Sequence, residues 1–455
     1  MRDNGNTQWS GELTLFLAAV GYAIGLGNIW RFSYVVGENG GGGFVVIYIV
    51  CMFLVGLPLL LSDFLIGRYG GGSPPHCMQR AALASGSSGN WRAVGWLGIL
   101  ACFVVLSYYS VIAGWTMAYF ANALTMPMPA SYKESSVAFE GLLADPLRLS
   151  TWHSLFIGAV GIVSALGVTG GIERFMKVAM PLFFMILIGL VLYGLVFGDL
   201  RTAMVFLFSF RPAEIDRDVV MVATGQAFFS LGVGASVLMV YGAYIPRRVS
   251  LQKTALIIVT ADTVGALLAG LAIFPLLFAA GLEPGQGPGL VFKTLPLAFS
   301  TIPGGQVVAV LFFLLLTTAA FTSAVGLVEP IVSWADEQLG ARRWVVALLS
   351  TSAAWLLGFA TVLSFNIWSE SYPLGGFAPF AGKTVFDLLD LAVSSIMLPF
   401  AGLLVAVFSG WVLSESIALN ELGTTGGSYY RVWRFLLRWF IPVLLVVLIL
   451  TLLTS

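Results

Sequence analysis

What constrains this chain most is a succession of long apolar runs with almost no charge to interrupt them. Runs near 13–37, 43–68, 92–124, 151–169, 173–197, 219–244, 252–281, 305–338, 343–365, 384–413 and 432–453 each match the length of a membrane-crossing helix, about 20 residues. Composition removes the alternative of several soluble domains. Charged residues are only 10% of the chain and apolar ones 58%, against about 25% charged in ordinary globular domains. So little charge cannot cover a soluble surface. The expectation is an all-α polytopic membrane protein of eleven spans, a single domain over 1–455. The first apolar run ends in polar residues rather than a small-residue cleavage site, so no removable signal is expected.

The same counts exclude other classes. Lys+Arg and Asp+Glu are both 22, which leaves no basic footprint for nucleic acid. Cys51, Cys77, Cys102, His76 and His153 have neither metal-ligand spacing nor a disulfide pattern. No carboxylate pair is accompanied by the base, nucleophile or metal ligands of an enzyme. In the loops, fourteen Lys and Arg fall on one side and seven on the other. That bias puts the N-terminus in the cytoplasm and, with an odd span count, the C-terminus outside.

Two spans are interrupted. The first carries Gly21-Tyr22-Ala23-Ile24-Gly25-Leu26-Gly27-Asn28, and the sixth carries Phe228-Phe229-Ser230-Leu231-Gly232-Val233-Gly234-Ala235-Ser236. They lie five spans apart, at matching places in two halves. Small residues also serve plain helix packing, but paired Gly-broken segments point to the site of an inverted-repeat transporter. An intramembrane acid costs about 2.5–3.5 kcal/mol and needs a reason. Asp63, Asp262, Glu329, Asp387 and Asp390 are such acids, with Arg31 the one base. Asp387, near a helix start, reads as a cap, and Asp63 and Glu329 as ties between loops and broken helices. Asn28, Gln226, Ser230, Thr322 and Ser323 add the neutral oxygens a hard cation such as sodium prefers.

At Gly21–Arg31, with Trp30 and Phe32, the sequence resembles the neurotransmitter:sodium symporter family. Further matches are Glu38-Asn39-Gly40-Gly41-Gly42, Gly67-Arg68-Tyr69-Gly70-Gly71, Tyr108-Tyr109, Gly171-Ile172-Glu173-Arg174-Phe175, Gly225-Gln226-Ala227-Phe228-Phe229 and Thr322-Ser323, all in the family's order. The resemblance implies the LeuT-type fold, with inverted five-helix repeats at 13–197 and 219–413, a peripheral helix at 432–453, and helices 1 and 6 unwound mid-membrane. It implies sodium-coupled amino-acid transport by alternating access across the cell's inner (plasma) membrane.

Carried over residue by residue, it implies two sodium sites. The first uses the Ala23 carbonyl, Asn28, Ser230 and Asp262, together with the substrate carboxylate. The second uses the carbonyls of Gly21, Ile24 and Ala319 and the hydroxyls of Thr322 and Ser323. The substrate lies among Tyr22, Ala23, Gly25, Leu26, Gly27, Val105, Tyr109, Phe228, Phe229, Ser230, Gly232, Ala235, Ser323 and Leu327. Tyr109 and the amides of Leu26 and Gly27 take its carboxylate. Phe229 closes beneath an Arg31–Asp390 external gate. Trp9, Tyr244, Glu329 and Glu337 match the internal gate. Asn6 replaces the usual internal-gate arginine, with Arg2 a substitute. Gly171 to Pro181 has the spacing at which some members unwind their fifth helix.

Gly25 stands where monoamine carriers place an aspartate, so the substrate must bring its own carboxylate, as an amino acid does. No charged side chain lines the expected pocket, so a charged substrate side chain would be left unpaired. Gly232 and Ala235 leave volume that favours hydrophobic or aromatic side chains. Tyr22 fills some of it, and Tyr22 with Gly25 also occurs in carriers of glycine and GABA. Asp262 stands where many relatives have asparagine, and Ala266 offers no chloride ligand, so transport is expected to be chloride-independent. Alternatives are a proton- or other-ion-coupled carrier of a small zwitterion and a non-transporting sensor. Oligomeric state is left open.

Overall fold

The apolar runs can only satisfy their backbone polar groups internally, and they do so as helices. The computed structural model describes residues 11–212, 215–284, 289–377 and 380–454, with no strand among them. In chain order these are α1 (Glu12–Ala23), α2 (Gly27–Glu38), α3 (Gly42–Gly70), α4 (Pro74–Ala84), α5 (Gly89–Thr125), α6 (Tyr132–Ala144), α7 (Pro146–Ala165), α8 (Val168–Phe197) and α9 (Leu200–Phe208). The second half holds α10 (Arg217–Leu231), α11 (Val237–Ala243), α12 (Leu251–Ala279), α13 (Leu290–Ser300), α14 (Gly305–Leu339), α15 (Arg343–Ser364), α16 (Val385–Val412), α17 (Glu415–Leu422) and α18 (Ser428–Thr451).

All eleven expected runs are helical, but they do not all qualify as spans. Among the described residues eight helices are long and apolar enough, and α1 with α2 makes nine as a pair bent by 49°. The run expected at 151–169 ends at Ala165, because Gly167 turns the chain at φ +90° before α8 begins. The sixth run is divided into α10 and α11, each too short to cross alone. The short amphipathic helices between the spans carry no long apolar run and escape a search for one.

The core is built around the two breaks. α14 packs along α5, and α15 along α7. In the apolar window of α5, 72% of residues are buried, against 28% in α18, which makes α18 the periphery. Asp387 is a helix cap, paired with Thr384 in a capping box at the start of α16. α8 stays helical throughout, with Pro181 inside it, so the Gly171–Pro181 stretch is wound in this conformation.

Candidate functional site

A broken helix frees amides and carbonyls that need partners in a dry interior. At the α1–α2 break, Asn28 Oδ1 accepts from the Gly25 amide at 3.3 Å, Ser323 Oγ donates to the Tyr22 carbonyl at 3.0 Å, and Gln226 Nε2 donates to the Gly27 carbonyl at 2.9 Å. At the α10–α11 break the chain passes through left-handed φ at Gly232 (+58°), Gly234 (+89°) and Ser236 (+61°). Side chains rarely adopt that region, which is why glycines flank the break. Cys102 Sγ donates to the freed Ala235 carbonyl at 2.7 Å. Both breaks are therefore pinned by side chains from the opposite half of the chain or from α5.

Between the breaks lies a cluster of oxygens around Asp262, which is fully buried on α12. Asn28 Nδ2 donates to Asp262 Oδ1 at 2.8 Å and to Ser230 Oγ at 3.1 Å, and Ser230 Oγ donates to Asp262 Oδ2 at 2.7 Å. Tyr48 OH adds a donor to Asp262 Oδ2 at 3.3 Å. Sequence reasoning missed Tyr48. Its hydroxyl stood alone in an apolar run, and its partners are 182 and 214 residues away. Of the second group of expected sodium ligands, Ser323 meets α1 through the Tyr22 carbonyl, whereas the Thr322 hydroxyl donates to Ala319 in its own helix at 2.9 Å. Gly21 and Ile24 sit at the end of α1, which packs against α14.

Beside the oxygen cluster is a cavity of about 60 Å³, lined by thirteen of the fourteen residues expected to hold substrate, with Leu398 added. The exception is Phe228. Successive side chains on a helix diverge, so with Phe229 facing the cavity, Phe228 turns away and its ring packs at Gly402. Gly25 is walled in: a Cβ there would lie 2.4 Å from Ser323 Oγ and 3.4 Å from Tyr109 OH. The Tyr109 hydroxyl is buried with no hydrogen-bond partner among the described residues. It is a donor without an acceptor.

On one side the cavity meets a cleft of about 480 Å³, and Leu26, Gly27, Tyr109 and Phe229 line both. Phe229 thus stands between them. Arg31 lies over the Phe229 ring, 4.5 Å from its centroid, and donates to Gln226 Oε1 at 3.2 Å. Arg31 and Asp390 both line the cleft, but no ion pair joins them among the described residues, so the expected gate pair is apart here.

The other side is sealed. Glu329, 1% exposed on α14, accepts from Tyr244 OH at 2.9 Å and from Arg343 Nη1 at 3.0 Å, with a second Arg343–Glu329 bond through Nη2. Glu329 therefore ties the broken helix, through Tyr244 at the end of α11, to Arg343 at the start of α15, and does so as an ion pair. Its cation, Arg343, reads in the sequence only as a loop base. Glu329 lies well inside α14, so no local pattern pairs the two. Glu337 accepts from the Ser73 amide and from His76 Nδ1, both at 2.8 Å. Trp9, Asn6 and Arg2 lie outside the described residues. Asp63 makes no such tie, since neither carboxylate oxygen has a hydrogen-bond partner among the described residues.

The model of the sodium:neurotransmitter symporter family matches residues 6–143 and 134–455. The chain belongs to that family. A sodium-dependent transporter of Bacillus subtilis (strain 168) is 33% identical over 99% of each chain, and one of Methanocaldococcus jannaschii is 31% identical over 89% of this chain and 81% of its own. The dopamine transporter of Bos taurus is 27% identical over 97% of this chain. The crystal structure of MhsT in complex with L-phenylalanine superposes with a TM-score of 0.88 at 38% identity, covering 98% of this chain and all of that one. This family member therefore has the LeuT-type fold and is a multi-pass, sodium-dependent membrane transporter rather than an enzyme.

Proposed function

We propose that the protein imports a neutral amino acid with sodium, without chloride, across the plasma (inner) membrane, its N-terminus in the cytoplasm. The observation that carries this reading is the buried Asp262 carboxylate, held by Asn28 and Ser230 next to Gly25. Hard oxygens from both halves of the chain suit sodium. Asp262 supplies there the fixed negative charge that a bound anion would otherwise bring, and Ala266 supplies no chloride ligand. Gly25 has no carboxylate, so the substrate's own completes the first sodium site and accepts from Tyr109. The L-phenylalanine held by MhsT supports an α-amino acid. Val105, Ala235, Leu327 and Leu398 line the side-chain end, where no cation or anion would find a partner.

Two sodium ions move with each substrate on this reading, the second held by Gly21, Ile24, Ala319, Thr322 and Ser323. The test is equilibrium binding of neutral amino acids to the purified protein in sodium or potassium, each as chloride or gluconate. Binding should require sodium and ignore the anion, and Asp262→Asn should lose it or make it chloride-dependent. Wild-type binding abolished by gluconate would remove Asp262 as the internal counter-charge, and equal binding in potassium would remove sodium coupling.

A further inference from the structure

The room that Gly232 leaves is not open to a substrate. Tyr22 occupies it. A Cβ on Gly232 would lie 2.2 Å from the Tyr22 hydroxyl, and a Cβ on Gly326 would lie 2.6 Å from Tyr22 Cδ2. The hydroxyl donates, at 3.4 Å, to the Gly232 carbonyl, and the ring edge meets Tyr241 at 6.3 Å between centroids. One aromatic ring is thus seated between two glycines from opposite helices, with a second ring behind it. The ring lines the cavity on its one free side, and close packing on the others holds it there.

The cavity that remains fits that picture. Its volume of about 60 Å³ is room for only a few water-sized groups, since a single one needs about 10–15 Å³. Glycine has no side chain and alanine a single methyl, whereas phenylalanine brings a whole ring. We propose that Tyr22 determines specificity: held between Gly232 and Gly326, it closes the side-chain compartment and restricts transport to small neutral amino acids of glycine and alanine size. The proposal rests on the reading of the protein as an amino-acid symporter. It sets this chain apart from MhsT, crystallised with L-phenylalanine.

The test is direct titration of full-length protein in sodium with glycine, alanine, leucine and phenylalanine, followed by calorimetry or thermal shift. Since one methylene in an apolar pocket changes discrimination by roughly 10–200-fold, wild type should bind alanine at least about tenfold tighter than leucine or phenylalanine. Tyr22→Ala, or Tyr22→Ser if the first does not fold, should erase or reverse that ratio. Gly326→Ala, which pushes the ring toward the cavity, should weaken alanine more than glycine. Leucine or phenylalanine bound by wild type as tightly as alanine overturns the proposal while leaving the symporter reading intact. Failure of every amino acid to bind in sodium overturns the symporter reading, and this proposal with it.

Discussion

The two ends of the central cavity are closed by different chemistry. Toward the cleft, Phe229 stands with Leu26, Gly27 and Tyr109 between the cavity and about 480 Å³ of space, its ring held by a cation over its face and one bond from Arg31 to Gln226. At the far end, a buried carboxylate is fixed by a tyrosine and a two-fold bond from arginine. A cation over a ring is worth about 0.5–2 kcal/mol. Removing one member of a buried ion pair costs about 3–5 kcal/mol. On the proposed orientation, the outer lid is light and the inner seal heavy. Opening toward the outside therefore costs less than opening inward, and binding energy from ions and substrate must be spent on breaking the inner seal.

The largest effect should come from the seal itself. Arg343→Ala leaves Glu329 buried without its cation, so the inner-closed state should lose about 3–5 kcal/mol, roughly 10²–10⁴-fold in population. Labelling of a cysteine placed in the inner pathway should rise accordingly. Unchanged labelling would mean that the seal lies elsewhere. Next comes Tyr109→Phe, which touches neither end. Its hydroxyl has no hydrogen-bond partner among the described residues, so its loss should spare thermal stability and weaken every amino acid by about 1.5–3 kcal/mol, as for a hydrogen bond to a charged group. Full affinity in the variant would move the carboxylate site.

A smaller change is expected from the lid. Arg31→Ala should speed substrate release by roughly 2–30-fold, given about 0.5–2 kcal/mol of cation–ring attraction; stopped-flow dissociation measures it. The smallest involves pH. The hydrogen bond that His76 donates to Glu337 raises the pKa of His76, partly opposed by burial. Protonated His76 therefore strengthens the inner contact, fully so below the ordinary histidine range, and the gain disappears as pH rises through the raised value. Acid on the inner side should favour the sealed state, and His76→Gln should flatten the dependence. With the His76 side chain 41% exposed, the effect should stay under about 1 kcal/mol.

Legibility in the sequence divides along the same line. The breaks were readable because glycine reports a backbone requirement wherever it stands, and because two such segments recur at matching places. Asp262 was readable because a carboxylate in a span is costly by itself. What escaped were partners: Tyr48 for Asp262, Arg343 for Glu329, Leu398 in the cavity wall. Each is an ordinary residue made functional by an approach across the fold, which no local pattern reports. Phe228 failed for the converse reason, since a motif names adjacent residues together while helix geometry faces only one of them inward. The room beside Gly232 was counted from a missing side chain, when the side chain that fills it comes from Tyr22, 210 residues away.

The central claim is that an amino acid crosses with sodium as driving ion, and that a protein carboxylate serves in place of chloride. Uptake of labelled alanine into proteoliposomes with an imposed sodium gradient and membrane potential tests it most directly. With two sodium ions per zwitterion, an inside-negative potential of about 100 mV contributes roughly 4.6 kcal/mol, at about 2.3 per charge. The account predicts uptake that needs inward sodium, rises with inside-negative potential, and persists when gluconate replaces chloride. Uptake indifferent to sodium and potential, or driven equally by a proton gradient alone, would contradict it.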